Sequence, residues 1–355
     1  MEKVIPFYAT DLAKITNHRS GEIKFGERIL TVPFGANLPE FIRECPARFV
    51  LFGIPEDIGV RANFGRPGAA SAWKSAISSI ANIQFNSFCK GKELLVLGQL
   101  NVENEMAEVQ QLDFHKTADR KRMNELVEAI DKEVTHIITL LVSAGKIPIV
   151  IGGGHNNAYG IIKGTALAKG HAINAINFDA HSDFRILEGR HSGNGFSYAY
   201  EEGFLQQYFI FGLHENYTSK KVLLTIKDLV HRIRFNTYDE IAIRGAKKFE
   251  NELQNAERFI TGSAFGIELD LDAIPNIASS AMTLSGFSVE QARQYIHRFG
   301  KHQNAAYLHI CEGAPELGDD KNQQVVGKLI GYLVTDFMKA NNPVDKKIQN
   351  ITVNW

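Results

Sequence analysis

The most constraining feature of this chain is that three apolar runs each end in side chains that bind metals. The runs occupy residues 149–155, 176–183 and 265–272. The imidazole and carboxylate groups at their ends belong to His155, Asp179, His181, Asp183, Asp270 and Asp272. Short apolar runs of this kind are typical of buried strands, so we expect these groups to lie where strands end. Such a ligand set is typical of a site that activates water rather than of a structural module.

The composition excludes several classes of protein. A formal charge of −1, without a lysine or arginine cluster, argues against binding to nucleic acid. No apolar run approaches the roughly 18 residues that a membrane span needs, and the N-terminus has no apolar targeting segment. Cys45, Cys89 and Cys311 are widely spaced and lack a Cys-x-x-Cys pair, which fits a reducing compartment. We therefore expect a cytoplasmic protein that binds neither nucleic acid nor membrane.

Apolar runs and helical stretches alternate along most of the chain. The apolar runs lie at residues 48–55, 94–97, 147–151, 172–178, 208–213, 232–235, 264–269 and 306–311. Stretches with apolar residues at helical spacing include 123–142, 158–168, 289–299 and 323–338. This alternation predicts a mainly parallel sheet with helices on both faces. No linker interrupts it, so we expect one domain over residues 47–355, with residues 1–46 packed on its core as an N-terminal segment.

The ligand spacing indicates a pair of divalent metal ions. Asp179-x-His181-x-Asp183 alternates directly after an apolar run, so an extended chain would direct all three side chains to one side. Asp270-x-Asp272 repeats the alternation after another run. Mixed imidazole and carboxylate ligands suit manganese, iron, cobalt or zinc rather than calcium. Four carboxylates are more than one divalent ion needs, whereas two ions would share them. The two ions of such a site are typically about 3.5–4 Å apart and lower the pKa of a water that bridges them.

Each segment taken alone has a simpler interpretation. An Asp-x-His-x-Asp segment is typical of a solvated loop, and an Asp-x-Asp pair is typical of turn or helix-capping residues. The glycines at 152–154 allow close packing, but a dinucleotide-binding loop would need a third glycine where Asn157 stands. The simpler interpretations must hold at three separate strand ends at once, which favours the metal site.

Together the three segments resemble the ureohydrolase family of arginases, agmatinases and formimidoylglutamases. The family patterns Gly-Gly-x-His, Asp-Ala-His-x-Asp and Asp-x-Asp occur here in the same order, at residues 152–155, 179–183 and 270–272. The resemblance extends from about residue 49 to about residue 315. It implies an arginase-like three-layer α/β sandwich with a mainly parallel sheet of about eight strands, as many as the apolar runs above. It also implies a homo-oligomer, whose size no sequence feature fixes.

The resemblance further implies which residues bind the metals, expected to be two manganese ions. One ion would be bound by His155, Asp179, Asp183 and Asp270. The other would be bound by Asp179, Asp270, His181 and Asp272. Asp179 and Asp270 would therefore bridge the pair, and Asp183 would also orient the attacking hydroxide.

Glu312 is the expected substrate contact beside the metals. It lies in a Glu-x-x-Pro segment that matches the family's, in which the glutamate pairs with the cationic amidine or guanidine of the substrate. The chain departs from the family where Glu268 replaces a frequent serine and where Pro-Asn at 275–276 replaces an Asp-Pro pair. The proline leaves a second register open, with Glu268 and Asp270 as ligands. Asp270 and Asp272 are favoured because the apolar run then extends to its expected end.

Arg185 is the first indication of the substrate. It lies where arginases usually carry asparagine and formimidoylglutamases carry arginine. A guanidinium beside the metals favours an anionic substrate and disfavours the cationic tail of agmatine. The alternative is a surface arginine paired with Glu188.

Two further segments resemble substrate loops of formimidoylglutamases. Residues 59–69 match the family's Gly-Val-Arg-x-Asn-x-Gly-Arg-x-Gly-Ala loop. The residues of that loop expected to grip a carboxylate are Arg61, Asn63 and Arg66. The Ser-Gly-Asn segment at 192–194 would hold the α-amino acid end through Ser192 and Asn194.

Two histidines near these segments have open roles. His191 lies close to the position of a proton-shuttling histidine of arginases, but it precedes the Ser-Gly-Asn segment instead of following it. His214 ends another apolar run and would line the pocket. A loop role for His191 and a structural role for His214 are equally open.

The chain is therefore expected to be a binuclear metal hydrolase that cleaves the C–N bond of a linear amidine. The resemblance favours hydrolysis of N-formimidoyl-L-glutamate to L-glutamate and formamide, a step of histidine degradation. Arginase or agmatinase activity on a guanidino substrate is the nearest alternative. A two-metal phosphoesterase would carry Gly-Asn-His segments, which are absent, and a non-catalytic ligand-binding relative would have lost metal ligands.

Overall fold

A ten-stranded sheet organises the part of the chain that the structure, a computed structural model, describes: residues 1–318 and 320–341. Residues 342–355, the end of the predicted domain, lie outside the described residues. The strands are β1 (Val4–Pro6), β2 (Leu30–Thr31), β3 (Phe49–Gly53), β4 (Leu94–Leu100), β5 (Ile147–Ile151), β6 (Ile173–Phe178), β7 (Leu205–Leu213), β8 (Ile233–Thr237), β9 (Phe265–Asp270) and β10 (Ala305–Cys311).

The sheet is mainly parallel, as predicted. Its strand order is β1-β4-β3-β5-β10-β9-β6-β7-β8, and β2 also pairs with β4. Every pairing is parallel except that of β1 with β4. Each of the predicted apolar runs forms one of the strands β3 to β10. The additional strands β1 and β2 come from residues 1–46 and extend over only three and two residues, too few for a periodic pattern to indicate them.

Helices cover both faces of this sheet. They are α1 (Ala9–Ile15), α2 (Leu38–Glu44), α3 (Ile58–Ala62), α4 (Ala72–Ala81), α5 (Glu103–Val109), α6 (Thr117–Ser143), α7 (Asn157–Lys169), α8 (Gly195–Glu201), α9 (Lys220–Asp228), α10 (Phe249–Ile260), α11 (Val289–Gly300) and α12 (Asp320–Ala340). The four predicted helical stretches lie within α6, α7, α11 and α12. Among the helices of the two described ranges, none has the length and apolar character needed to cross a membrane.

Side chains of the central strands alternate between two apolar cores. In β3, Phe49 and Leu51 belong to the core that includes residues of α4, α10, α11 and α12. Val50 and Phe52 belong to the core that includes residues of α6, α7 and α8. All four side chains are fully buried, and burial of each stabilises the fold by about 1.5–3 kcal/mol. This two-sided burial produces the three layers that the family resemblance implies.

The four central strands bring the predicted ligands together. β5, β10, β9 and β6 are neighbours in that order and run parallel. Their carboxyl ends therefore meet at one edge of the sheet, which is where open parallel sheets bind ligands. His155 follows β5, Glu312 follows β10, Asp270 ends β9 and Asp179 follows β6.

Gly53, the last residue of β3, packs directly against helix α4. A Cβ atom at this position would clash with the ring of Trp73. Gly53→Ala is therefore expected to lower the free energy of unfolding by about 1–3 kcal/mol, as measured by denaturant titration. Gly262→Ala is the matched control, because a Cβ atom there would meet no atom within 4 Å. Equal stability of the two variants would contradict this packing.

Candidate metal centre

Two groups of ligand atoms that include the predicted aspartates lie at the carboxyl edge of the sheet, and His155 also lies close to His309 and Cys311. Within each group, all ligand atoms lie within 4.8 Å of one another. The first group consists of His155, Asp179, Asp183 and Asp270. The second group consists of Asp179, His181 and Asp272. The fold thus brings together all the residues predicted to bind metal, and Asp179 belongs to both groups.

His155 faces three carboxylates but forms no hydrogen bond through either ring nitrogen. Its Nδ1 lies 2.8 Å from Asp183 Oδ2, 3.3 Å from Asp179 Oδ2 and 3.4 Å from Asp270 Oδ2. None of these contacts has hydrogen-bond geometry, and both buried ring nitrogens lack a hydrogen-bond partner. Buried polar atoms are rarely left unpaired. An imidazole nitrogen and three carboxylate oxygens facing one point are a suitable donor set for a divalent ion such as manganese.

The second group is similar but is open on one side. His181 Nδ1 lies 3.1 Å from Asp272 Oδ2 and 3.5 Å from Asp179 Oδ1. The His181 side chain is 32% exposed and stacks on the ring of Tyr217. Asp272 Oδ1 is buried without a hydrogen-bond partner. Asp270, which the resemblance implies as a second bridging residue, belongs to the first group only.

The aspartates also build the turns that carry them. Asp179 Oδ1 accepts a hydrogen bond from the His181 amide at 2.6 Å, and its Oδ2 accepts one from the Asn177 side chain at 2.8 Å. Asp270 Oδ1 accepts one from the Asp272 amide at 2.8 Å. Contacts from an aspartate to the amide two residues further on are typical of Asx turns. Asp179 and Asp270 therefore form the turns that the simpler interpretation predicts, and they also belong to the ligand groups.

The carboxylates repel one another in a site that is almost closed to solvent. Burial, followed by the charges of Asp272 and Asp179, raises the pKa of Asp270 well above its ordinary value. Burial and the charge of Asp179 likewise raise the pKa of Asp183 to about 6. Bound cations remove this repulsion because they neutralise the carboxylates around them. The residues present therefore fit a pair of divalent ions.

Glu312 stands beside the first group in a strained backbone conformation. Its φ is +60° and that of Asp183 is +44°, in a region that residues with a side chain rarely adopt. Glu312 Oε1 accepts a hydrogen bond from the His155 amide at 2.7 Å, and Oε2 accepts one from the Ser280 hydroxyl. Burial raises the pKa of Glu312 to about 8 despite these hydrogen bonds. Such strain clusters at functional sites.

Glu268 belongs to neither group of ligands. Its Oε1 accepts a hydrogen bond from the Tyr307 hydroxyl at 2.7 Å, and its Oε2 lies 2.6 Å from His309 Nδ1. Burial opposes ionisation of Glu268, but the neighbouring histidines outweigh it and lower the pKa to about 2. The geometry therefore favours Asp270 and Asp272 over the alternative register that uses Glu268.

A glycine turn and a buried acid hold His155 in position. Two glycines of the turn at 152–154 have φ values of +86° and +69°, which glycine adopts without strain. Glu56 is fully buried and accepts a hydrogen bond from an amide of this turn at 3.2 Å. It also accepts hydrogen bonds from the side chains of Asn156 and Asn157, at 3.1 and 2.5 Å. Glu56 follows strand β3, so a residue from the end of the neighbouring strand holds the turn in place.

Arg190 connects the same turn to the neighbouring loop. Its side chain is 2% exposed, and its guanidinium pairs with Asp131 of α6 at 2.8 and 3.3 Å. It also donates to the Asn156 carbonyl at 2.8 Å and to Asn194 Oδ1 at 2.6 Å. Arg190 and Glu56 carry no signal in the sequence, because their partners lie far along the chain and a buried charge produces no periodic pattern.

A cavity of about 560 Å³ opens onto the ligand groups. This volume lies within the range of sites that bind small molecules. The predicted site residues in its wall are Asn63, Arg66, His181, Asp183, Arg185, Ser192, Asp270, Asp272 and Glu312. Ser280, whose hydroxyl donates to Glu312, also lies in the wall and was not indicated by any sequence motif.

A family model matches most of this chain. The model of the arginase family covers residues 47–335. The chain belongs to the arginase family.

Its relatives within the arginase family include formimidoylglutamases. The formimidoylglutamase of Chromobacterium violaceum is 27% identical over 248 residues, which cover 68% of this chain and 72% of that protein. The formimidoylglutamase of Geobacillus kaustophilus is 27% identical over 287 residues, which cover 79% of this chain and 80% of that protein. The crystal structure of Trypanosoma cruzi formiminoglutamase with Mn²⁺ matches with a TM-score of 0.68 and 19% identity, over 91% of this chain and 100% of that one. This structural match shows the arginase-like fold.

Arg185 and Arg66 place positive charge in the cavity wall of this arginase-family chain. Arg185 Nη1 donates to Asn63 Oδ1 at 2.8 Å, and Nη2 pairs with Glu188 at 2.6 Å. Its side chain is 47% exposed. Arg185 therefore pairs with Glu188, as a surface arginine would, and also lies in the cavity wall. Arg66 donates to the Ser280 carbonyl at 3.2 Å. Both guanidinium groups retain donors that a substrate can reach.

Arg61 and Asn194 are not in the cavity wall. Arg61 Nε pairs with Asp57 at 2.7 Å. Asn194 is fully buried, and its Oδ1 accepts hydrogen bonds from Arg190 and from the His191 amide. Both residues therefore form contacts within the protein, and their expected contacts with substrate stay a prediction.

His191 and His214 also lie outside the wall. His191 Nδ1 accepts a hydrogen bond from the Gly193 amide at 3.1 Å, and burial with the charge of Arg185 lowers its pKa to about 4. A proton shuttle must reach the substrate, and His191 does not line the cavity. His214 stacks between the rings of Tyr217 and Tyr238, a position that agrees with a structural role.

The pair of Arg190 with Asp131 is expected to be required for stability. Arg190→Met leaves the buried Asp131 carboxylate without its cation, so the free energy of unfolding should fall by about 3–5 kcal/mol. Arg244→Met is the matched control, because Arg244 forms an exposed pair with Glu215 and exposed pairs contribute about 1 kcal/mol or less. Denaturant titration measures both variants. A loss at Arg190 no larger than at Arg244 would contradict the buried role.

Proposed function

We propose that this chain is a binuclear manganese hydrolase that converts N-formimidoyl-L-glutamate to L-glutamate and formamide. The observation that carries the proposal is that two metal-ligand groups lie at one cavity whose wall also holds Glu312, Arg66 and Arg185. The names of the curated relatives and the Mn²⁺ in the structure of the Trypanosoma cruzi protein support the same activity and metal.

The two ligand groups divide the metal-binding work. His155, Asp183 and Asp270 would hold one ion, His181 and Asp272 would hold the other, and Asp179 would contact both. When bound, such a pair supplies Lewis acidity and a water of lowered pKa that serves as the nucleophile.

The remaining groups position the substrate for attack. Glu312 presents a carboxylate to the cavity and would accept hydrogen bonds from the planar N–C–N group of the amidine. An amidinium beside Glu312 favours its ionised form, which burial alone disfavours. Asp183 lies in the same wall and would accept a hydrogen bond from the attacking water. The oxygen of that water adds to the amidine carbon, the bond from this carbon to the glutamate nitrogen breaks, and that nitrogen leaves with a proton.

Charge in the cavity wall would select the substrate. Arg66 and Arg185 complement the carboxylates of the formimidoylglutamate molecule, and Asn63 and Ser192 offer neutral polar groups beside them. Agmatine would place an ammonium group near two guanidinium groups, which is unfavourable. Selectivity would therefore come from residues outside the metal groups.

The three cysteines indicate the compartment in which the protein acts. Cys45, Cys89 and Cys311 are free and buried. Free thiols are typical of proteins in reducing compartments. We therefore infer that the protein acts in the cytoplasm.

The decisive assay compares formimidoylglutamate, arginine and agmatine on one preparation whose metal content is measured. The highest kcat/KM is expected for formimidoylglutamate, with about two ions per chain. Preference for arginine or agmatine would replace the proposed substrate with a guanidino compound. Two bound ions without turnover of any of the three would indicate a ligand-binding relative.

Arg185→Ala is expected to raise KM for formimidoylglutamate about 10–100-fold, because one charge-assisted contact contributes about 1.5–3 kcal/mol. The metal content should stay unchanged, since Arg185 belongs to neither ligand group. Arg244→Ala, which removes an exposed arginine outside the cavity wall, is the control. Steady-state kinetics measure both, and an unchanged KM in the Arg185 variant would refute its role in specificity.

A further inference from the structure

A buried hydrogen-bonded cluster lies directly behind the first ligand group. It consists of Glu268 on β9 and of Tyr307 and His309 on β10, all fully buried. The register of the two strands places Glu268 opposite His309. Gly266 makes room for the cluster, because a Cβ atom there would clash with the ring of Tyr307. Packing as well as hydrogen bonding therefore holds the Glu268 carboxylate in place.

His155 lies between this cluster and the aspartates. Its Nδ1 faces the aspartates of the first group, whereas its Nε2 lies 3.5 Å from Glu268 Oε2. Nε2 is buried and lacks a hydrogen-bond partner. A neutral imidazole that binds a metal through Nδ1 carries its proton on Nε2. The distance is just beyond that of a normal hydrogen bond, so a small rotation of the ring would bring this proton onto Glu268.

His309 contacts both Glu268 and the glycine turn. The Nδ1 atom of His309 faces Glu268 Oε2 at 2.6 Å, and its Nε2 lies 3.4 Å from the Gly152 carbonyl. Both neighbours are acceptors, and the two ring nitrogens of His309 face them. His309 therefore supplies the buried Glu268 carboxylate with a hydrogen-bond partner. It also connects the cluster to the glycine turn that carries His155.

We propose that Glu268 is a positioning residue of the metal centre. It accepts the Nε2–H of His155 and thereby fixes the tautomer and the ring orientation in which Nδ1 faces the aspartates. This role rests on the proposed metal pair and assigns a task to the residue that stands where the family often has serine. A carboxylate behind a metal-binding histidine also raises the basicity of that ligand.

The arrangement makes the effect of Glu268 selective for one ion. His155 does not belong to the second ligand group, whose histidine, His181, contacts Asp179, Asp272 and the ring of Tyr217. Loss of the Glu268 carboxylate should therefore weaken the first site and spare the second.

The test is a titration of the metal-free variants Glu268→Gln and Glu268→Ala with Mn²⁺. Calorimetry and electron paramagnetic resonance measure the binding at each step. We expect one of the two sites to weaken about 10-fold in the Gln variant, which keeps an amide oxygen, and about 100-fold in the Ala variant. The other site should keep its affinity. Glu252→Gln is the matched control, because Glu252 is a buried glutamate of α10 that is hydrogen-bonded to Asn255, and both of its sites should match the wild type.

The pattern of Mn²⁺ affinity across the two sites separates positioning from a purely structural role. Positioning predicts site-selective loss of Mn²⁺ affinity, whereas a general structural defect would weaken both sites together. Unchanged affinity at both sites, or equal weakening of both, overturns the proposal. Should the Ala variant fail to fold, the isosteric Gln variant decides.

The same titration keeps this proposal distinct from the proposed function. Wild-type protein that binds no divalent ion overturns both. Wild-type protein that binds two ions but does not hydrolyse formimidoylglutamate overturns the proposed substrate alone, and the comparison with the Glu268 variants still stands.

Discussion

Repulsion among buried carboxylates is the constraint on which the rest of this structure depends. The carboxyl ends of β5, β10, β9 and β6 bring four aspartates and Glu312 to one edge of the sheet, where all are almost fully buried. Two like charges 4 Å apart repel by about 4 kcal/mol at an effective dielectric constant of 20. Several such pairs would consume a large share of the roughly 5–15 kcal/mol by which a domain is stable. Bound divalent cations would convert that repulsion into attraction and so would couple the fold to the metal centre.

Each of three buried acids around the metal centre has its own partner within the protein. Asp131 pairs with Arg190, Glu268 Oε2 lies 2.6 Å from His309 Nδ1, and Glu56 accepts hydrogen bonds from the glycine turn and its neighbours. Removing a partner from such a group would leave a buried charge or acceptor unsatisfied. Each of them contacts a segment that carries or supports His155, so the protein interior determines where that ligand points.

Local patterns predict much of the fold and of the metal centre. The strands β3 to β10 appear as apolar runs, and parallel strands bring their ends together without further information. Residues used for internal contacts are harder to predict, because their partners come from distant parts of the chain. Arg61 and Asn194 match family motifs yet pair with Asp57 and Arg190, while Ser280 reaches Glu312 without any motif. The role of Glu268 likewise depends on the neighbouring strand β10.

Anomalous X-ray diffraction at the manganese edge, on crystals grown with Mn²⁺, tests the central claim most directly. The account predicts two peaks about 3.5–4 Å apart, one beside His155 Nδ1 and the other beside His181 Nδ1, with Asp179 contacting both. Absence of both peaks, with the aspartate side chains bonded only to protein atoms or dispersed into solvent, would contradict it.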